Sequence, residues 1–456
     1  MSFIGTSART FALETSAGRL LFGSGQLVAA WSTRNPYRRA SALLRAWRAT
    51  DRESVGKFAA DYLQAALTPN GQLVPLAENP LLQSFAATPE AQRSRRHFAS
   101  LEVSDRIRMR LPRPQEGVER QGNLILLKSP NDRTGEKGVI LLKYTESFRS
   151  FAALYEVERL VKNYMIVLEP SWWGYKDSSF FILAGSDADI IVQSQSQPDY
   201  EFLSEHGFGL TPVRIGAGDW GDPQLFRPSG AERRFDIVMV SSWNPFKRHR
   251  DLFAALKEAK SRFGRTITAA LIGYPSGWTA ENIKHELQRF GIADQCEIFN
   301  SVPQSRVAEI VSQARLYLLL SRREGANKAM YEALFCDTPV LVPRAHRGVN
   351  LEHLNAQTGA TFEEGQLTQS LLEVLDRSAA FSPRSWALRH TGFEAATRDL
   401  NEALQRVAST RGQRWERPIV AKKNQPNLFY AREQDRLAME PEYDRLVEYL
   451  RSDVRG

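Results

Sequence analysis

The stretch "LYLLLSRREGANKAMYEALFCDTPVLVP", Leu316 to Pro343, reads as strand, loop, helix and strand in close succession. "LYLLLS" is a near-continuous apolar run, the pattern of a strand buried on both faces of a parallel sheet. Arg322–Ala326 then form a loop at its carboxyl end. "NKAMYEALF" offers Ala329, Leu334 and Phe335 for packing, with Asn327 as the N-cap. "PVLVP" closes the unit as the next buried strand. Into this apolar frame the sequence sets Glu324, Lys328 and Glu332 around one helix start. Three charges so placed are costly unless something outside the chain uses them.

In open α/β sheets, ligands bind at the carboxyl ends of strands, where helix N-termini present free backbone N–H groups. Lys328 falls in the first helical turn, where the dipole disfavours a cation. A bound anion such as a phosphate reverses that penalty. Glu324 precedes the helix and can face a ligand beyond its end. Glu332 lies over one turn inside and can accept hydrogen bonds from hydroxyls along the helix side. Carboxylates beside a phosphate site describe a pocket for a sugar nucleotide. Two surface glutamates on a solvated helix are the plainer account, since this spacing alone is common by chance. The ordered arrival of strand, glycine-containing loop, helix and strand favours the pocket.

The same alternation extends outward. Upstream lie "FDIVMVS" (Phe235–Ser241), "TITAALIG" (Thr266–Gly273) and "CEIFNSV" (Cys296–Val302), separated by helical segments such as Arg250–Phe263 and Gln304–Ala314. An earlier set comprises "NLILLK" (Asn123–Lys128), "GVILLKY" (Gly138–Tyr144), "YMIVLE" (Tyr164–Glu169), "DIIVQS" (Asp189–Ser194) and "TPVRIG" (Thr211–Gly216). Helices Phe148–Val161 and Pro198–Gly207 fall among them. Between the two sets, "DWGDPQLFRPSGAERR" (Asp219–Arg234) is rich in Gly, Pro and charge and reads as a linker. The expected fold is α/β: two tandem doubly wound Rossmann-like domains with a helical N-terminal extension and C-terminal helices. The expected divisions are 1–114 (basic, helical), 115–228 (acceptor domain), 229–380 (donor domain) and 381–456 (helices packing back).

At 456 residues, two domains are the default expectation. Two cysteines, Cys296 and Cys336, cannot make a disulfide framework, which suggests a reducing, cytoplasmic setting. No long apolar run suggests a membrane span or a secretory signal. The net charge of +8 is uneven: Met1–Pro114 holds 16 Lys+Arg against 8 Asp+Glu, leaving 44 of each elsewhere. Within that basic quarter, Asn35–Leu63 reads as one amphipathic helix carrying Arg38, Arg39, Arg45, Arg48 and Arg52 near one side. Such a face suits an anionic membrane surface, and equally a solvated surface helix. No aromatic-interleaved basic stripe supports nucleic-acid binding.

Other signals carry less. "GAGDWG" (Gly216–Gly221) matches G-x-G-x-x-G, but Asp222-Pro223 and Pro228 follow where a helix must open, so its glycines are expected to shape a turn. "DAD" (Asp187–Asp189) precedes its strand and reads as a helix-to-strand turn rather than a metal motif. Cys336 reads as a packed thiol. His206, before Gly207, reads as a helix-end residue that could also reach an acceptor site. "EPSWWGYKDSS" (Glu169–Ser179) is expected to expose Trp172, Trp173 and Tyr175 to the cleft, as an aromatic platform or as core. The loop "SPNDRTGEKG" (Ser129–Gly138) could border the acceptor side.

"EGANKAMYEALFCDTPVLVP" resembles the E-x7-E signature of retaining, GT-B-fold glycosyltransferases of family 4, the glycosyl transferases group 1. "IGAGDWGDPQLFRP" (Ile215–Pro228) resembles that family's interdomain segment, and "ALIGYPSG" its second C-domain strand and turn. "EIFNSVPQSRVAEIVSQARLYLLLSRREG" resembles the approach to the motif. The likeness covers roughly residues 210–377 well, 120–210 in layout, and 1–114 not at all. It implies that Glu324 contacts the donor sugar and Glu332 the ribose. The amides of Gly325, Ala326, Asn327 and Lys328 would hold the diphosphate, with Gly273 at the donor side. Lys247, in "VSSWNPFKRHRD", aligns with the family's diphosphate-neutralising Lys, while Ser242 stands where an Arg is expected. Arg248 or Lys328 is expected to supply that charge. The resemblance implies transfer from a nucleotide-sugar donor to a glycan or glycolipid acceptor, a hexosyltransferase-type activity (EC 2.4). No metal or other cofactor is required, because lysine and helix N-termini stabilise the leaving group. A non-catalytic module of the same fold, binding a glycan or partner, is the alternative that Ser242 raises. Peripheral contact with the inner face of a membrane through the N-terminal region accompanies either reading.

Overall fold

A computed structural model of the chain describes residues 16–101, 123–171, 174–325, 327–425 and 427–455. By their contacts these residues fall into two compact units. The first comprises Met1–Ile215 with Asp399–Lys422 and Pro426–Gly456, and the second Gly216–Arg398 with Lys423–Gln425. Among the described residues, no helix is long and apolar enough to cross a membrane.

The first unit is built on β1 (Leu124–Lys128), β2 (Gly138–Lys143), β3 (Tyr164–Glu169), β4 (Ile190–Gln193) and β5 (Leu210–Val213), hydrogen-bonded in that order. β1 runs antiparallel to β2; the other pairings are parallel. The edge strand β1 is capped by side chains rather than left open. Leu126 donates its N–H to the Tyr443 hydroxyl at 3.2 Å and accepts from the Tyr430 hydroxyl at 2.8 Å. At the middle of the strand, both backbone groups of Leu126 are thereby satisfied.

The basic N-terminal region belongs to this same unit. Its helices run Ser16–Ser32, Pro36–Thr50, Glu53–Leu67, Pro80–Ala86 and Pro89–Ser100. Fully buried Asn79 fastens it: Oδ1 caps the helix Pro80–Ala86, while Nδ2 donates to Phe181 O and Ala184 O, both at 2.8 Å. The single helix expected over Asn35–Leu63 is two helices. Asp51, at φ 50°, takes the left-handed conformation, and its N–H closes the first helix on Trp47 O. The arginines do not share one face either. Arg39 donates to Ala30 O and Thr33 O, and Arg48 lies 3.6 Å from Asp177.

The second unit carries β6 (Phe235–Val240), β7 (Ala269–Gly273), β8 (Cys296–Asn300), β9 (Ala314–Leu318), β10 (Val340–Pro343) and β11 (Gly359–Phe362). They form one parallel sheet in the order β11-β10-β9-β6-β7-β8. Successive residues feed opposite faces. Tyr317, Leu319 and Val340 join a core under the helices Gln304–Ser312 and Lys328–Phe335. Leu316, Leu318, Leu320 and Leu341 join a second core under His249–Phe263, Ala280–Phe290 and Leu367–Asp376. Helices therefore cover both faces, which is why these strands read as unbroken apolar runs.

The stretch expected to be a linker packs into this unit. Trp220 and Phe226 are buried, and the Arg384 guanidinium donates to Phe226 O at 3.0 Å and Pro223 O at 3.1 Å. The chain divides at Ile215/Gly216, ahead of that stretch. β11 and a two-stranded ribbon, β12 (Lys422–Gln425) with β13 (Asn427–Tyr430), went unread in the sequence.

Candidate functional site

The strand order of the second sheet reverses between β6 and β9. The chain leaves β6 for β7 and β8 on one side, then returns to place β9 on the other. The crevice beyond the carboxyl ends of these two strands is where an open α/β sheet binds ligands. Lys247 sits on the segment leaving β6 and Glu324 on the segment leaving β9. The Lys247 ammonium lies 2.6 Å from both Oε1 and Oε2 of Glu324. Their side chains are only 15% and 8% exposed, so the pair is held in a partly desolvated setting.

Glu324 is fixed from three directions. The Ser321 hydroxyl donates to Oε1 at 2.5 Å, and the Glu324 N–H donates to Arg347 O at 2.8 Å. Ser321 is held in turn by His346, whose Nδ1–H donates to Ser321 O at 2.7 Å. That bond leaves Nε2 as the bare nitrogen, buried and without a hydrogen-bond partner among the described residues. Burial pushes the His346 pKa below its ordinary value. The loop after β10 presses onto the Glu324 backbone so closely that Gly348, at φ 109°, admits no side chain. A Cβ there would fall 1.9 Å from Glu324 O. Ser321, His346 and Gly348 had no motif to mark them. The only available signal was position, since they follow the carboxyl ends of adjacent parallel strands.

The helix Lys328–Phe335 begins where the sequence placed it. Asn327 Oδ1 accepts the Met330 N–H at 2.9 Å and faces the Tyr317 hydroxyl at 3.4 Å, so its side chain serves as a cap. Half-buried Lys328 makes no ion pair or hydrogen bond among the described residues. Glu332, one turn on, is 8% exposed and likewise has no side-chain partner among them. Burial raises its pKa, with the Lys328 charge opposing. An unpartnered buried carboxylate one turn from an unpartnered ammonium is unusual in a folded core. Gly325 lies in the connecting loop; Ala326 lies outside the described residues.

Arg248 is placed differently from the sequence expectation. Its backbone is left-handed, at φ 63°. Its guanidinium meets Glu364 in a two-point contact of 2.8 and 2.9 Å, and also donates to Asp251 and Leu320 O. Hydrogen bonds from Arg322 and then Arg248 hold the Glu364 carboxyl at about 2. Arg248 thus ties the β6 exit to the loop after β11 and has little left for a ligand. Ser242 is half-buried and makes no hydrogen bond among the described residues. Gly273 is accounted for by packing, since a Cβ would lie 2.3 Å from Ser241 O and 2.8 Å from the Trp243 ring.

The demoted motifs have structural roles. Buried Asp219 accepts from the Gly216 N–H at 2.9 Å and the Thr391 hydroxyl at 2.7 Å, and Gly218 lies against the Tyr331 ring. Asp189 is buried between Lys137 and Arg411, each at 2.7 Å, and Asp187 accepts the Leu76 N–H. Burial pushes the Cys336 thiol up to about 12, as suits a packed thiol. In the first unit, the His206 Nδ1–H donates to Phe202 O at 3.0 Å and its ring stacks on Phe208, a helix-end role. Trp172 and Trp173 lie outside the described residues. Tyr175, expected beside them at a cleft, is buried and stacked on Phe202. Among the described residues, no three His, Cys, Asp or Glu side chains converge as metal ligands do.

Residues 222–379 match the model of the family described as Glycosyl transferases group 1. No curated protein matches the chain. Among solved structures, sucrose-phosphate synthase from Thermosynechococcus elongatus is similar at 18% identity, over 60% of this chain and 73% of that one, with a TM-score of 0.46. The pneumococcal O-GlcNAc transferase GtfA, in complex with UDP and GlcNAc, is similar at 16% identity over 55% and 53%, with a TM-score of 0.41. Anabaena Alr3699/HepE, in complex with UDP and glucose, is similar at 14% over 60% and 77%, with a TM-score of 0.42.

Proposed function

We propose that the second unit binds a nucleotide sugar at the β6/β9 crevice, and that the protein transfers the sugar to an acceptor hydroxyl with retention of configuration. The observation that carries this reading is the pair Lys328 and Glu332, two ionisable side chains one helical turn apart, both without side-chain partners among the described residues. A diphosphate at the helix start matches the ammonium and the first-turn N–H groups of Lys328 and Ala329. Ribose hydroxyls donating to Glu332 supply the partners that a buried carboxylate lacks. The match of residues 222–379 to a glycosyltransferase family supports the same reading.

The chemistry follows from the charges at hand. With the donor in place, Lys247 swings from Glu324 toward the departing diphosphate, and Glu324 accepts from sugar hydroxyls. The bond between the anomeric carbon and the diphosphate oxygen breaks as the acceptor oxygen bonds to the same face and passes its proton to the departing diphosphate oxygen. Negative charge left on the diphosphate spreads over Lys247, Lys328 and the backbone N–H groups, so the proposed step uses no metal. Lys328 takes the place of the cation that Ser242 does not supply, and Arg248 acts as a positioning residue. The acceptor is a glycan or glycolipid hydroxyl. A binding-only module is the second reading. It is favoured by one observation: Arg248, one of the two residues expected to supply the missing charge, is committed to Glu364.

The test is a melting and nucleotide-release screen against UDP-, GDP- and ADP-sugars, beside Glu332→Ala and Lys328→Ala. Stabilisation and release with one donor, both lost in the variants, supports transfer. Stabilisation without release in the presence of glycan acceptors favours the binding module. A folded protein that responds to no donor overturns the donor-site reading.

A further inference from the structure

A second site lies in the first unit, within the basic N-terminal helices. A cavity of about 570 Å³ opens there between the helices Ser16–Ser32, Pro36–Thr50 and Pro89–Ser100. That is the size of a small-ligand pocket. Arg38 and Arg45 line it from one helix. They are seven residues apart, two turns along the same helical face, and so about 10 Å apart along the axis. Arg93 lines it from the neighbouring helix.

The three differ from the other arginines around them. Arg39 donates to backbone carbonyls of the preceding helix, Arg48 faces Asp177, and Arg95 pairs with Asp453 at 3.2 Å. Arg38, Arg45 and Arg93 use no guanidinium nitrogen in any ion pair or hydrogen bond among the described residues. One acidic side chain, Glu90, is part of the lining, but Arg149 takes its carboxylate at 3.0 Å. The cavity mouth therefore gathers three exposed guanidinium groups without a counter-charge among the described residues, each with five donors in a fork suited to a phosphate. Like charges converging on one cavity repel unless an anion lies among them.

From this the geometry points to a binding site for a phosphate-bearing ligand, held by Arg38, Arg45 and Arg93. Two sources offer that chemistry, a soluble phosphorylated compound and the headgroup of an anionic phospholipid. The helix Ser16–Ser32 contributes Gln26 and Ala29 to the cavity. It also exposes Leu21, Val28 and Trp31 by 70%, 69% and 74%, surface that a bilayer would bury. This site is independent of the donor site in the second unit.

The test uses the full chain, inorganic pyrophosphate, and vesicles of phosphatidylcholine with or without phosphatidic acid. Two triple variants are compared: R38A/R45A/R93A, and K257A/R262A/R389A, which removes as many exposed charges in the second unit. Circular dichroism melts establish that both fold. The expected result is binding of pyrophosphate, or of vesicles only when they contain phosphatidic acid. The cavity variant should bind at least tenfold more weakly, with the control unchanged. Pyrophosphate binding identifies a soluble ligand, and vesicle binding alone identifies a headgroup. Wild-type protein that binds neither, a cavity variant that binds as wild type, or equal loss in both variants overturns the proposal.

Discussion

Replacing Glu332 by glutamine sets stability against ligand binding in opposite directions. The carboxylate is 8% exposed, has no side-chain partner among the described residues, and has its pKa raised by burial. A folded pKa above the unfolded value means that the ionised carboxylate destabilises the fold at neutral pH. That penalty is absent below the unfolded value near 4.5, where the group is protonated in both states. Glutamine keeps the shape and removes the charge, at the loss of a modest attraction to Lys328. The net gain should be about 1 kcal/mol, the low end for a buried group lacking its partner. For a domain of this size that is a melting point about 2–4 °C higher at pH 7, with the difference closing toward pH 4. Nucleotide binding should move the other way. Losing hydrogen bonds to a charged acceptor costs about 1.5–3 kcal/mol, or about 10- to 150-fold in Kd. Scanning calorimetry at both pH values and titration with the nucleotide identified by the donor screen check the two halves. A Glu332→Gln protein that melts lower at pH 7 would refute the reasoning, because the carboxylate must then have a partner.

Lys247→Ala strands Glu324 in a partly desolvated site; a loss of about 3 kcal/mol in urea unfolding is expected, and Glu324→Ala added to it should recover part of that loss in a double-mutant cycle. Arg248→Ala should leave nucleotide affinity within about twofold by titration, because its guanidinium is committed to Glu364 and Asp251. It should also flatten the acid limb of stability. Glu364, depressed to about 2, contributes stability that is present above its unfolded value near 4.5 and lost as pH falls toward 2. Arg322 keeps part of that contribution, and solvent screening at this half-exposed carboxylate keeps the whole effect small. Gly348→Ala puts a methyl group against Glu324 O at a left-handed φ, so the loop must shift. It should cost about 1–3 kcal/mol by calorimetry and lower turnover more than binding, because it displaces Glu324 rather than the nucleotide groups.

What the sequence revealed and what it hid follow from the range of the interactions. Ten strands were legible; most are parallel strands covered on both faces, which need apolar side chains at every position, and that pattern is local, while antiparallel β1 and the edge strands β5 and β8 were found by their short apolar runs. β11 escaped because "GATF" is short and opens with Gly359, whose hydrogen would be replaced by a Cβ 2.0 Å from Val340 O. That glycine reports a close approach by another strand, which no window around it contains. The ribbon strand "KKNQ" reads as polar surface, yet its Lys422 is fully buried against Glu169 at 2.6 Å, a partner far away in the chain. The site divides along the same line. Glu324, Lys328 and Glu332 were visible because one helix start and its flanking strands define them locally. The ion pair of Arg248 went unread because its partner carboxylate, Glu364, lies on the loop after β11 and leaves no trace beside it in sequence. His346 and Gly348 act through backbone carbonyls, which every residue possesses, so residue type alone could not announce them. A charged residue beside a motif is therefore weak evidence for a ligand until its possible long-range partners are known. Lys328 and Glu332 stand as ligand-binding candidates because the fold, which supplied a partner for Arg248, supplied none among the described residues for them.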